Sequence, residues 1–333
     1  MPGAIRIGVI GAGRIGSLHA AIVARRVDGL ALAAVQDANP DAAGRVASTL
    51  GVGVESNIEG LLARPDVDAV AICSPSDTHV EVIEAAARAG KAIFCEKPIS
   101  LDLALVDRAI AAVEAAGVPF QVGFNQRFDP GHRAVRDAVA SGAIGEVQLV
   151  RITSRDPAPP PLAYVRGSGG LFLDMTIHDL DMARYVTGSE VVEVFARGAV
   201  LVEPSFAEAG DVDTAVVVLV HASGCITTID NSRQAAYGYD QRVEAHGSAG
   251  MASSENQLVH AAVVRDATGA HAARLQTFFL ERYTPSYVAE WEAFRDYVRD
   301  GGPSPVSAAD GRAPLAVGLA AWRSVREGEP VRL

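Results

Sequence analysis

The chain has 333 residues, 49% apolar and 21% charged, with a formal net charge of −11. That balance excludes a disordered chain. Without any run of Lys or Arg it also excludes the basic surface that wraps a nucleic-acid backbone, and no apolar run approaches the length of a membrane span.

The length suits two domains at roughly 150 residues each. Along the first third, continuous apolar strands at 5–10, 30–35, 69–73 and 92–95 alternate with helical patterns such as 19–26 and 79–89. Strands without polar alternation are buried on both faces, as in a parallel sheet, so this part is expected to be a doubly wound, Rossmann-type α/β domain. From about Gly142 the strands become longer and consecutive: 146–153, 191–202, 214–221, 225–230 and 242–246. Short turn signals separate them, at 222–224 and 247–250, which predicts an α+β domain on a large, mostly antiparallel open sheet. One helix, 170–186, interrupts the strands, and two more, 286–299 and 309–326, close the chain. The proline-rich stretch 156–161 reads as a stiff loop. The domains are placed at 1–122 and 123–333.

Cys73, Cys95 and Cys225 are odd in number and widely spaced, so they form neither a disulfide framework nor a zinc-type pair. They read as small buried hydrophobes in a reducing cytoplasm. The first 16 residues lack the basic and long apolar regions of a signal peptide.

Gly11, Gly13 and Gly16 form G-x-G-x-x-G directly after the first strand, with Arg14 and Ile15 inside the motif and a helix following. The first Gly allows the tight turn, the second lets a diphosphate approach the backbone, and the third lets helix and strand pack closely. Asp37 ends the second strand, and its carboxylate suits ribose hydroxyls and repels a 2′-phosphate, so NAD is favoured over NADP. Two further segments leave strand ends where such sheets bind ligands. One carries Ser74, Pro75, Thr78 and His79, and the other Glu96 and Lys97. Thr78 also suits a plain helix cap.

Lys97 lies between an apolar strand and Pro98, which restricts it to extended backbone. An ammonium fixed there can stabilise developing alkoxide charge, although a lone lysine after a strand also suits a surface role. Asp174 and His178 are four positions apart and share one face of a helix. That pairing suits a general base taking a hydroxyl proton, and equally a buried histidine satisfied by a carboxylate. Nothing around them has the ligand spacing of a metal site.

These motifs together resemble the glucose-fructose oxidoreductase / inositol dehydrogenase / MocA family over essentially the whole chain. The shared elements are Gly11 to Gly16, Glu96-Lys97-Pro98, and Gly169-Gly170 leading to Asp174 and His178. The segments around Phe124 to Asp129, Ser154 to Pro157, Asn231 to Gln234 and Tyr237 to Arg242 are similar to its inositol dehydrogenase branch. At Asn125-Gln126 the sequence departs, the family more often carrying Arg at the second position. The resemblance implies NAD as cofactor and oxidation of a ring secondary alcohol of a cyclic polyol, with myo-inositol going to 2-keto-myo-inositol. Lys97, Asp174 and His178 would be catalytic. Arg127, Asp156, Thr176, Asp179, Tyr237 and Tyr283 would bind hydroxyls. A surface salt bridge also suits Arg127, and core packing also suits the tyrosines. The resemblance further implies a C-terminal helix packing back on the first domain, and a homo-oligomer, a tetramer foremost, joined through the open sheet face. Other expected readings are a dehydrogenase for scyllo- or chiro-inositol or a pyranose, and a non-catalytic sensor of NAD and sugar.

Overall fold

The protein is seen in a computed structural model describing residues 3–333. In its first compact unit, strands β1 (Ile5–Ile10), β2 (Leu30–Gln36), β3 (Gly53–Glu55), β4 (Ala69–Ile72), β5 (Ala92–Glu96) and β6 (Phe120–Gly123) form one sheet. All pairings are parallel, in the order β3-β2-β1-β4-β5-β6. The crossovers carry α1 (Arg14–Arg25), α2 (Pro40–Leu50), α3 (Ile58–Ala63), α4 (His79–Arg88) and α5 (Leu103–Ala116). Every residue of β4 and β5 is buried, as their unbroken apolar runs require. Helix ends follow local chemistry. Asn39 caps α2 by accepting the Asp41 N–H, Pro40 presets the first turn, and Gly51 ends the helix at φ 73°. Strand order reverses between β1 and β4, which is where a sheet of this kind receives its ligand.

In the second unit β7 (Val147–Arg155), β8 (Val191–Ala199), β9 (Thr214–His221), β10 (Ile226–Ser232), β11 (Asp240–Gly247) and β12 (Gly250–Ser254) form the main sheet. A separate hairpin follows, β13 (Val263–Asp266) and β14 (Gly269–Ala272), and β15 (Val331–Arg332) joins the edge of the main sheet. Its order is β12-β11-β7-β10-β9-β8-β15, antiparallel except for β7 beside β10. The helices are α6 (Pro130–Ala140), α7 (Leu162–Ser168), α8 (Gly170–Asp174), α9 (Thr176–Thr187) and α10 (Ser205–Glu208), while α11 (Phe279–Asp300) and α12 (Ala308–Glu327) each contribute residues to both units. Helices α6 and α9, with Val317, Ala320 and Ala321 of α12, bury one face of the sheet. Gly318 lets α12 approach closely, because a Cβ there would lie 2.6 Å from Leu173 Cδ2. The opposite face leaves Leu149, Val216, Ile226 and Met251 exposed on one side of four strands.

Two sequence expectations change. The single helix at 170–186 is two, α8 and α9, meeting at Met175, so Asp174 and His178 do not ride one uninterrupted helix. The polar ties described below hold Asp174 and Thr176 to different partners on either side of that break. The second change is the partition. The first unit runs to Asn125 and takes in Tyr287–Ala313, leaving Gln126–Ser286 and Pro314–Leu333 to the second. The aromatic surface of β5 draws that segment in. Trp291 stacks on Phe94 with centroids 4.6 Å apart, Phe294 meets Phe94 edge-on at 5.8 Å, and the Val122 N–H bonds to Val306 O at 3.0 Å.

Candidate active site

In the first unit the glycine turn leaves β1 with Gly11 at φ 95°, a backbone only glycine adopts without strain. A Cβ at Gly11 would lie 2.5 Å from the Cys73 carbonyl carbon, and one at Gly16 would lie 1.9 Å from Gly11 O. Gly13, which precedes the first turn of α1, has nothing within 4 Å of a Cβ position. The turn is thus sealed on the protein side and open at Gly13, and the N–H groups at the start of α1 suit a diphosphate. Asp37 closes the end of β2, its carboxylate accepting the Ala12 N–H at 2.5 Å and the Asn39 N–H at 2.7 Å. That ties the acid to the glycine turn, where a ribose would lie.

The loops after β4 and β5 are joined by His79. One ring nitrogen faces Ser74 O at 2.8 Å and the other Pro98 O at 2.9 Å. Burial pushes the His79 pKa down, and these two carbonyls oppose it. The ring is buried between the two loops, and in its neutral form it donates its one N–H to one of these carbonyls. Ser74 and Thr78 share a hydroxyl–hydroxyl bond of 2.7 Å, and Thr78 donates to Pro75 O at 2.8 Å. At the end of β5, Glu96 takes the His19 ring on one oxygen (2.7 Å) and the Lys97 N–H on the other (3.2 Å). The Lys97–Pro98 peptide is cis.

In the second unit the polar side chains gather around α8, α9 and the ends of β7 and β10. The two strands pair in parallel, with Asn231 opposite Ser154 and Ser232 opposite Arg155. Just beyond β10, Arg233 is buried between two carboxylates, Asp156 at 3.1 Å and Asp174 at 2.8 Å. The hydroxyl of Tyr164, on α7, donates to the other Asp174 oxygen at 2.7 Å. Burial, then Asp174, raises the Tyr164 pKa, so its proton stays in that bond.

Asn231 organises a second group. Its oxygen accepts from the Thr176 hydroxyl and its amide donates to Asp179, both at 2.8 Å. Burial pushes the Asp179 carboxyl up to about 8, against the opposing Asn231 hydrogen bond. A carboxyl that keeps its proton at neutral pH can donate as well as accept, which suits a hydroxyl ligand. The Asn231 amide also donates to Ser154 O at 3.3 Å, and the Gln241 amide donates to Ser154 Oγ at 2.9 Å, which continues the chain of bonds.

Of the other residues singled out in the sequence, Tyr283 meets the end of that chain of bonds at Gln241, while Arg127 and Tyr237 make ties of their own. The Arg127 guanidinium binds Asp181 through two bonds of 2.7 and 2.6 Å and lies over the Tyr185 ring. Tyr283 is buried, with its hydroxyl 3.4 Å from both Gln241 and His132. Tyr237 is half exposed, donating to Asp240 at 2.6 Å and accepting from Arg155 at 2.9 Å. Lys97 belongs to the first unit, Asp174 and His178 to the second. Sequence reasoning assigned no role to Tyr164, Asn231 or Arg233. For the last two, strand alternation was the available signal, since residues 154, 156, 231 and 233 fall on one face when β7 and β10 pair.

Residues 5–124 match the family model described as an oxidoreductase family with an NAD-binding Rossmann fold, and residues 132–253 match the GFO/IDH/MocA C-terminal domain. The chain belongs to the GFO/IDH/MocA family. It is an NAD-dependent dehydrogenase, and the sealed glycine turn with Asp37 fits that cofactor. It is 49% identical over 330 residues to the myo-inositol 2-dehydrogenase of Thermotoga maritima, covering 99% of this chain and 98% of that one. It is 47% identical over 329 residues to the inositol 2-dehydrogenase of Rhizobium meliloti, covering 99% of each. Among solved structures, it is similar to scyllo-inositol dehydrogenase from Lactobacillus casei with bound NAD(H) and scyllo-inositol. That likeness has a TM-score of 0.91 and 31% identity over 99% of each chain. Among the described residues, no helix is long and apolar enough to cross a membrane.

Proposed function

We propose that this GFO/IDH/MocA member oxidises a ring secondary alcohol of a cyclic polyol, with myo-inositol going to 2-keto-myo-inositol. The observation that carries the reading is the polar set of the second unit. Asp156, Asp174 and Arg233 stand beside Thr176, Asn231 and Asp179, so charged acceptors, a guanidinium and a protonated carboxyl alternate around α8 and α9. A ligand with a hydroxyl on every ring carbon needs that many fixed donors and acceptors. The whole-length likeness to inositol dehydrogenases supports the same class.

His178 is the general base that takes the hydroxyl proton, and Lys97 and Asp174 complete the catalytic group. NAD+, when bound, supplies the hydride acceptor. Gly11, Gly13, Arg14, Ile15 and Gly16 hold its diphosphate and Asp37 its ribose, with the loops of Ser74 to His79 and Glu96-Lys97 lining the cleft. Arg127, Asp156, Thr176, Asp179, Tyr237 and Tyr283 make up the proposed hydroxyl-binding set. The proposed location is the cytoplasm, in keeping with three buried free thiols. The apolar open face carrying Leu149, Val216, Ile226 and Met251 suits burial by further copies in a homotetramer.

The test is turnover of myo-, scyllo- and chiro-inositol and of glucose, followed by NADH absorbance with NAD+ and NADP+ in parallel, for the wild type and His178→Ala. Myo-inositol with NAD+ should be preferred. His178→Ala should lose turnover by about 100-fold or more while still binding NADH. Normal turnover of that variant would remove His178 as the base, and a preference for glucose would remove the inositol reading.

A further inference from the structure

The first unit contains a buried imidazole that cofactor binding does not explain. His19, on α1, is fully buried among aromatic rings, with Phe94, Tyr287 and Trp291 centroids 5.2, 5.4 and 5.8 Å away. A polar ring in such surroundings is costly unless both nitrogens are satisfied. Both are. The Trp291 indole N–H points at His19 Nδ1 at 2.8 Å, and His19 Nε2 meets Glu96 Oε1 at 2.7 Å.

The direction of these bonds follows from the partners. An indole nitrogen only donates. His19 Nδ1 therefore accepts, the ring proton sits on Nε2, and Nε2–H donates to the Glu96 carboxylate. The second oxygen of that carboxylate accepts the peptide N–H of Lys97 at 3.2 Å. Strand β6 makes room for this acid with Gly123, where a Cβ would come within 3.2 Å of Glu96 Cδ.

The result is a directed relay from Trp291 through His19 and Glu96 to the main chain of Lys97. A phenylalanine at 19 would fill similar space but leave the Glu96 carboxylate and the Trp291 N–H without this partner, so the imidazole does more than pack. What the imidazole adds is orientation. It turns the Glu96 carboxylate so that one oxygen meets the Lys97 N–H, and it does so from the helix whose first turn follows the glycine motif. A lysine side chain is long and flexible, so the direction in which its ammonium is presented depends on where its backbone starts.

We propose that His19, with its tautomer set by Trp291, is a positioning residue that fixes Lys97 through Glu96. This rests on the proposed catalytic role of Lys97. The experiment measures kcat, the KM for NAD+ and for myo-inositol, and the melting temperature of the full-length enzyme. His19→Phe keeps the aromatic volume and removes both bonds. His19→Gln keeps an N–H donor at the reach of Nε2. Trp291→Phe keeps the packing and removes the donor that sets the tautomer. Lys97→Met serves as the reference.

His19→Phe should lower kcat about 10–100-fold, the range expected for a misplaced catalytic group, with the KM for NAD+ close to wild type, and its melting temperature should fall because Glu96 and the Trp291 N–H lose a buried partner. His19→Gln should recover most of kcat. Trp291→Phe should fall in between, and it carries the test alone if His19→Phe does not fold. Wild-type kcat in both His19→Phe and Trp291→Phe, with Lys97→Met inactive, overturns the positioning role. Equal losses in the Phe and Gln variants that track a lowered melting temperature also overturn it, since only packing would then be at stake. A fully active Lys97→Met instead removes the catalytic role of Lys97, a separate failure.

Discussion

Replacing Arg233 with methionine tests the site of the second unit most directly. The guanidinium is almost fully buried, and its removal takes a counter-charge from Asp156 and Asp174 at once. Breaking a buried ion pair by deleting one partner costs about 3–5 kcal/mol. Asp156 is about a quarter exposed and Asp174 keeps the Tyr164 hydroxyl, so the lower part of that range, about 3–4 kcal/mol, is expected. For a unit of this size each kcal/mol moves the melting temperature by roughly 2–4 °C, giving a fall of roughly 6–16 °C by calorimetry. The penalty comes from the carboxylates left behind, so Asp174→Asn in the Arg233→Met background should restore part of it. In the same variant kcat/KM for myo-inositol should drop with Asp174 misplaced. A melting temperature within a degree of wild type, or a double variant whose losses simply add, refutes the view that Arg233 neutralises this pair.

Asp179 gives a prediction in pH. Folded, it keeps its proton up to about pH 8, against an ordinary value of 3.8. The unfolded chain releases that proton near pH 3.8 and the folded chain only near 8, so the stability carried by the neutral carboxyl is full below pH 3.8, falls steadily as pH rises and is lost above about 8. Asp179→Asn lacks that dependence, so its melting temperature relative to wild type should climb between pH 5 and 8.5. A pH-independent difference rules the assignment out. The glycine turn gives a paired prediction. Gly16→Ala places a methyl on Gly11 O and should lower both the melting temperature and NADH affinity. Gly13→Ala meets open space and should weaken only NADH binding, read by fluorescence titration. Equal melting losses in the two would contradict the geometry.

The cofactor half was legible because several signals coincided on one short stretch. Gly11, Gly13 and Gly16 follow a strand, open a helix and precede Asp37, and for Gly11 and Gly16 the crowding around a Cβ supplies the steric reason. The long apolar runs gave β1, β2, β4 and β5 for the same reason that they are buried. Strands β3 and β6 were not read, because Gly-Val-Glu and Phe-Gln-Val-Gly offer no unbroken apolar run of the kind that marks β4. The break at Met175 was invisible because helical spacing continues through it. What separates α8 from α9 is non-local, since Asp174 is held by Arg233 and Thr176 by Asn231, more than fifty residues away. Tyr164 was hidden behind the prolines before it, where the loop reading stopped one residue short of α7. That a C-terminal helix returns to the first domain came only from the family resemblance; which residues do so, 287–313, depends on Trp291 meeting Phe94, a contact that no local pattern announces.

That shared chain has a consequence for how the molecule comes into being. The nucleotide-binding unit is not a contiguous stretch, and its aromatic floor is supplied by residues 287–313, made only after the whole of 126–286. On the ribosome, the first 125 residues emerge with Phe94 and His19 facing water where Trp291 will later sit, and that surface is the sticky kind exposed by folding intermediates. A clone ending at residue 125 should therefore aggregate. A nucleotide-binding fragment that behaves well would have to be built by fusing 287–313 to it through a linker.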